Sequence, residues 1–230
     1  MKEFISGSAY FGVLLSLGTY YLGTLLKKRF KVVLINPILT AIVLTIAVLL
    51  ALDIDYASYN AGAKYLSYLL TPATVCLAIP LYEHLQLLKK NYRAILLGIF
   101  SGVLASLGCV LLLSLLFGLN HAEYVTLLPK SITTAIGMVM AEEMGGYPSI
   151  AAAVIIVTGI LGNMFAEGFL KLLRIRNPIA RGVAIGTSSH AIGTSRAMQI
   201  GEVEGAMSGL SIVVAGLMTV IGASVFAQFI

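Results

Sequence analysis

Charge is scarce in this sequence. Of 230 residues only 11% are Asp, Glu, Lys or Arg, tryptophan is absent, and cysteine occurs twice. Soluble domains carry roughly 25% charged residues, so an ordinary soluble enzyme is excluded. Two cysteines cannot frame a disulfide scaffold, and Cys76 and Cys109 both fall inside apolar stretches without metal-ligand spacing. Also missing are a Walker-type phosphate loop, a zinc pattern and a GxSxG nucleophile elbow. The adjacent Ser188, Ser189 and His190 do not replace these, because a triad is assembled in space and not along the chain. No cofactor, metal or enzymatic activity is expected.

What fills the chain is apolar. Hydrophobic residues make up 59%, and a helix crossing ~30 Å of hydrocarbon needs ~20 of them in succession. Phe4 to Leu26, Val32 to Leu52, Ala94 to Leu119, Ile150 to Leu173 and Gly205 to Ile230 read as membrane spans. The first is longer than a signal-peptide core and ends in basic residues, so it is expected to be retained. Three further stretches are interrupted by Pro, charge or small polar residues: Asn60 to Leu88, Tyr124 to Gly146 and Gly182 to Glu204. Each reads as a broken or re-entrant helix.

Positive charge is clustered. Lys27, Lys28, Arg29 and Lys31 form one group, Lys89, Lys90 and Arg93 a second, and Lys171, Arg174, Arg176 and Arg181 a third. No group interleaves aromatics across an exposed face, so nucleic-acid binding is excluded, and the positive-inside rule places all three on the cytoplasmic side. The N-terminus is then outside. Residues 124–146 form a re-entrant or peripheral hairpin with His121, Glu123, Glu142 and Glu143 on the outer side. Gly182 to Glu204 crosses outward, placing Glu202 and Glu204 outside, and the last helix ends inside. About seven spans satisfy the charges, and an eight-span alternative, in which residues 124–146 cross, leaves four basic residues outside.

The expectation is therefore an all-α, polytopic membrane protein forming a single transmembrane domain over residues 1–230. Its parts are a first span and basic loop (1–31), a repeat-like unit (32–119), a re-entrant or peripheral segment (120–148) and a second repeat-like unit (149–230). The two units read as helix, broken helix, helix in opposite orientation, the pattern of inverted-repeat transporters that bind substrate where the breaks meet. Gly98 with Gly102, and Gly205 with Gly209, are spaced as GxxxG for close helix packing, with dimerisation as a second use.

Three polar stretches are the candidate site. In Gly186 to Arg196, five hydroxyls, His190 and Arg196 leave little surface for lipid, so the segment must face protein or water. A break there exposes a helix N-terminus suited to an anion. Ser188, Ser189, His190, Thr194 and Arg196 are its candidates, Arg196 because guanidinium binds carboxylates in a bidentate fashion. In Pro129 to Thr134, Lys130, Ser131, Thr133 and Thr134 could together hold a small carboxylate, the alternative being a snorkelling lysine at the interface. In Leu70 to Val75, proline frees backbone carbonyls, and Thr71 and Thr74 are candidate ligands beside a simple kink. Every acidic residue falls near an expected membrane end. His190 is thus the candidate for proton coupling, since imidazole titrates near neutrality.

Leu69 to Tyr82, Leu128 to Thr134, Gly145-Gly-Tyr-Pro-Ser, Gly186 to Ala197 and Gly201-Glu, in that order, resemble the LrgB/CidB family of bacterial membrane proteins across essentially the whole chain. Ala135 departs from the pattern, which has a second proline after the Thr-Thr pair. The resemblance implies two functions of different class. One is a holin/antiholin-like regulator of murein hydrolase activity and autolysis, acting with a small LrgA/CidA-type membrane partner. The other is a secondary carrier of small monocarboxylates such as pyruvate or glycolate, because this sequence type is similar to half of the plastid glycolate/glycerate translocator. The expected setting is the bacterial inner membrane, as a lipid-embedded homo-oligomer such as a dimer. The concentration of polar elements at three places favours the carrier, since they are costly in lipid without a cavity to line.

Overall fold

The structure, a computed structural model, describes residues 10–30, 35–76 and 78–230, with the side chains at 70, 71, 74, 78, 80 and 81 outside the description. The starts of the first two expected spans, and Lys31, therefore lie outside the described residues. Among the described residues every regular element is helical. The chain divides into two compact units, residues 1–76 and 77–230.

In the first unit, α1 (Phe11–Phe30), α2 (Pro37–Ala51), α3 (Tyr56–Ser67) and the short α4 (Leu70–Cys76) follow in order. Small residues bring α1 onto its neighbours: Gly12 abuts the α3 backbone at Tyr59 and Ala63, and Gly23 abuts Pro37. Hydroxyls bond across the same seams, Ser16 to the Tyr59 hydroxyl at 2.7 Å and Thr19 to Thr45 at 3.0 Å. Asn36 caps α2 by accepting from the Ile38 N–H at 2.9 Å. Asp55 caps α3, and the Ser58 hydroxyl and N–H that bond its carboxylate hold its pKa below the usual range. At 15 residues α2 is shorter than the span expected from Val32 to Leu52.

The second unit contains α5 (Ala78–Glu83), α6 (Leu85–Phe117), α7 (His121–Leu127), α8 (Thr134–Glu143), α9 (Pro148–Leu172), α10 (Pro178–Ile200) and α11 (Glu202–Phe226), closed by a 3-10 turn (Ala227–Phe229). Of the described helices, α6, α9 and α11 with its closing turn are long and apolar enough to cross a membrane. They make the chain a multi-pass membrane protein, with three helices of this length and hydropathy among the described residues. The core between them is aliphatic: Ile95, Ile99, Val103 and Leu107 of α6 pack with Met207 and Ala215 of α11.

Neither polar stretch of this unit crosses. Helix α7 enters from the end where α6 stops on the left-handed Gly118 (φ 65°), turns over Leu128 to Thr133, and α8 returns. The His121 ring bonds the Met144 carbonyl at 3.3 Å, and the Tyr147 N–H donates to Thr126 Oγ1 at 2.8 Å, so both ends of this hairpin meet. His121 also bonds the Ile230 carbonyl at 2.6 Å, placing the C-terminus at the same end.

Helix α10 corrects an expectation. Its hydrogen-bonded run is interrupted at Ser189 (φ −137°, ψ 15°) and His190 (φ 41°, ψ −140°), where the chain reverses. On the first arm, Gly182 faces Glu204 and Gly186 faces Ser208, so this arm runs parallel to α11. On the second arm, Thr194 bonds Ser208 at 2.7 Å while Met198 packs on Gly205, so this arm runs antiparallel to α11. Gly193 lies against Ile185 of the first arm, which lets the two arms close together. Arg181 near the start of α10 donates to Glu204 at 3.1 Å, and Arg196 near its end pairs with Glu167 of α9. Residues 182–204 therefore do not cross, and Glu202 and Glu204 share one end with the basic residues 171–181. Consequently α11 runs in the direction of α6 and ends beside His121, opposite to the expected placement. The reversal follows from the segment's glycines and polar side chains, among which His190 bonds α9 and Thr194 bonds α11, partners that lipid would not offer.

Two hairpins thus enter from opposite ends between α6, α9 and α11. This opposed pair is a separate relation from the repeat expected between residues 32–119 and 149–230.

Candidate functional site

The hairpin tips converge on one cavity of about 880 Å³. One wall is a stripe of α6 at helical spacing, Asn91, Ala94, Gly98, Gly102, Ala105, Ser106 and Cys109. The opposite wall is the first arm of α10, with Ala180, Val183, Ala184, Thr187 and Ser188. Lys130 and Ser131, from the tip between α7 and α8, and Ser101 of α6 add polar lining, and Asn177 and Asn91 mark the basic end. The α6 glycines set the width: a Cβ on Gly98 would lie 3.4 Å from Val183, and one on Gly102 only 2.8 Å from the Thr187 methyl.

Lys130 is the cavity's cation. Its Nζ donates to Ser131 Oγ at 3.0 Å, and Ser131 Oγ shares a hydrogen bond with Ser106 Oγ at 3.1 Å, tying the tip to α6. Among the described residues no carboxylate forms an ion pair with it; Lys171, Arg181 and Arg196 have such partners. A lysine at a hairpin tip without an anionic partner, flanked by hydroxyls, can bind a small anion. Ser188 Oγ bonds the Ala184 carbonyl at 2.8 Å and Ser189 Oγ at 3.0 Å at the tip of the other hairpin.

The other expected site residues are placed elsewhere. His190 is 3% exposed and sealed between helices. Its Nε2–H donates to the Ile155 carbonyl at 3.0 Å, which fixes the tautomer, and its ring rests on Gly159. Its own carbonyl accepts from Thr194 Oγ1 at 2.9 Å. Ser189 packs against Gly162 and Thr194 bonds Ser208, so both hold the hairpin to its neighbours. Arg196 lies with Glu167 and Gln199 towards the basic end. Thr133 and Thr134 open α8 and do not line the cavity. Thr71 and Thr74 belong to α4, in the other unit, and their side chains lie outside the described residues.

Sequence reasoning did not single out Ser106, Cys109, Thr187 or the two asparagines. The signal was present: Gly98, Gly102, Ser106 and Cys109 recur every three or four residues, which marks one face of a helix. Thr187 stands inside the hydroxyl run but was not separated from it.

Residues 16–229 match the LrgB-like family. Antiholin-like protein LrgB of Bacillus mycoides (strain KBAB4) is 38% identical over 222 residues, covering 96% of both chains. Those of Bacillus cereus (strain B4264) and Bacillus anthracis (strain CDC 684 / NRRL 3495) match to the same extent. No solved structure matches. With the family matched along nearly its whole length and relatives this similar, the chain belongs to the LrgB-like family.

Proposed function

We propose that this chain is an antiholin-like regulator of murein hydrolase activity and autolysis in the bacterial inner membrane, working with an LrgA/CidA-type membrane protein. The observation that carries the reading is the 38% identity, over 96% of both chains, to proteins named antiholin-like LrgB. The basic end is cytoplasmic on this reading, by the positive-inside rule, and the cluster closing α1 leaves the N-terminus outside. The test is autolysis and murein-hydrolase zymography in cells lacking their own LrgB-type protein, complemented with this chain with and without an LrgA-type partner. Complementation is expected to slow detergent-induced lysis severalfold and to need the partner. Lysis unchanged by either complement overturns the reading.

One observation favours a second reading, a secondary carrier of small monocarboxylates. Lys130 stands unpaired by any described carboxylate in a cavity between two opposed hairpin tips, an arrangement suited to binding near the midplane. In this reading the cavity opens towards the cytoplasm, and autolysis responds to the resulting metabolite and proton fluxes. Uptake of labelled pyruvate and glycolate into proteoliposomes holding an entrapped dye separates the readings. Saturable uptake without dye release supports a carrier, dye release without saturation supports a pore, and silence in both points to the missing partner. His190 is the candidate proton carrier. His190→Ala is expected to remove stimulation by an imposed pH gradient while gradient-free exchange continues, and stimulation that persists takes His190 out of the mechanism.

A further inference from the structure

Thr187 is 6% exposed, its Oγ1 is buried without a hydrogen-bond partner, and it lines the cavity. Hydroxyls elsewhere in these helices turn back onto the carbonyl four residues earlier: Ser188 onto Ala184, Ser211 onto Met207 and Ser224 onto Val220. Thr187 does not. Its methyl is set against Gly102, where a Cβ would approach to 2.8 Å, so the glycine admits this side chain at the wall. Ser114 also has an unpartnered hydroxyl but does not line the cavity. Leaving a buried hydroxyl unpaired is costly unless a ligand completes it.

The spacing describes that ligand. Gly102, against which Thr187 rests, and Ser106, which bonds Ser131 beside Lys130, are four residues apart on α6. They are separated by roughly 6 Å along the helix axis. One cation suits one carboxylate. A hydroxyl about one helical turn away suits a second oxygen a carbon or two from that carboxylate. We infer that Thr187 is the specificity-determining residue of the cavity, pairing with the 2-oxo or 2-hydroxy oxygen of a short monocarboxylate whose carboxylate sits on Lys130 and Ser131. The inference rests on the carrier reading and adds to it the group that rejects plain aliphatic acids, since a site built to pair a substrate oxygen discriminates against an analogue lacking it.

The test uses proteoliposomes of the full chain taking up labelled pyruvate, competed by three-carbon acids of matched size. Pyruvate and lactate are expected to compete at least about tenfold better than propionate. Thr187→Val, which keeps the shape and removes the hydroxyl, should erase that preference while propionate competes as before, and Thr187→Ser should retain it. Unchanged propionate competition reports that the variant is folded. If Thr187→Val transports and still prefers pyruvate, or if the wild type does not distinguish propionate, the assignment to Thr187 falls and the carrier stands. If the wild type shows no saturable uptake, the carrier reading falls and the inference falls with it.

Discussion

Lys130 and Arg196 are both cations within polar stretches, and their surroundings separate them. Arg196 is paired with Glu167, whose other oxygen accepts from Lys171 at 2.8 Å, and both members of the Arg196 pair are about 30% exposed. Pairs of that exposure contribute about 0–1 kcal/mol, and the guanidinium is already occupied. Lys130 donates to the Ser131 hydroxyl and, among the described residues, has no carboxylate partner. A charge-assisted hydrogen bond is worth about 1.5–3 kcal/mol, which converts to more than a tenfold change in affinity. Lys130→Ala is therefore expected to raise the apparent KM for carboxylate uptake at least about tenfold. Lys64→Ala, at the end of α3, should change it less than about twofold. Equal effects would return Lys130 to an interfacial role.

At the level of the element, the hairpin of α10 depends on what α9 lacks. Gly159 and Gly162 leave room for His190 and Ser189, and a Cβ at Gly162 would collide with the Ser189 side chain. His190 itself holds φ 41°, a conformation that a residue with a Cβ adopts only when its surroundings compel it. Those surroundings are its bonds to Ile155 and Thr194. Gly162→Ala should destabilise the protein by about 1–3 kcal/mol through overpacking. Gly168→Ala, on the same helix with nothing within 4 Å of the new Cβ, should be neutral or stabilising by up to about 1 kcal/mol. Thermal unfolding in detergent compares them, and equal melting temperatures would mean that the tip is not held by α9. The sequence announced an irregular element here through its glycines and hydroxyls. It did not announce the direction of exit, because a broken crossing and a hairpin have the same composition, and what separates them is tertiary: Arg181 on Glu204 and Thr194 on Ser208.

For the whole molecule, the two hairpins change the topology that charge alone suggested. Asn177, beside the basic residues 171–181, and Asn91, beside Lys89, Lys90 and Arg93, line one cavity, so these two clusters share an end of this unit. Positive-inside counting had no purchase on Glu202 and Glu204, since acidic residues carry little topological weight. Single cysteines introduced in a background lacking Cys76 and Cys109 test the arrangement. Arg176→Cys and Gln199→Cys should react with an impermeant maleimide from one face, and Glu143→Cys and Gln228→Cys from the other. Opposite labelling of positions 176 and 199 would restore the crossing. The aliphatic core and the long helices were legible from hydropathy, whereas the cavity was not. Its walls come from α6 and α10, whose small residues look like ordinary packing positions until the helices are seen side by side.

Both arms of the second hairpin lean on α11, which follows them in the chain. During synthesis residues 178–200 therefore emerge before the helix that satisfies Gly182, Gly186, Thr194 and Arg181 has been made. Until α11 arrives, the hydroxyls and backbone at the tip have no apolar face to offer lipid and lack this helix as a partner within the membrane. Docking of this hairpin is thus completed only with α11: a chain stopped before Glu202 is expected to keep the α9 contacts of Ser189 and His190 but to be cleaved faster by protease within residues 178–200 than the full chain. Biogenesis, and not only ligand binding, ties the last helix to the cavity it does not line.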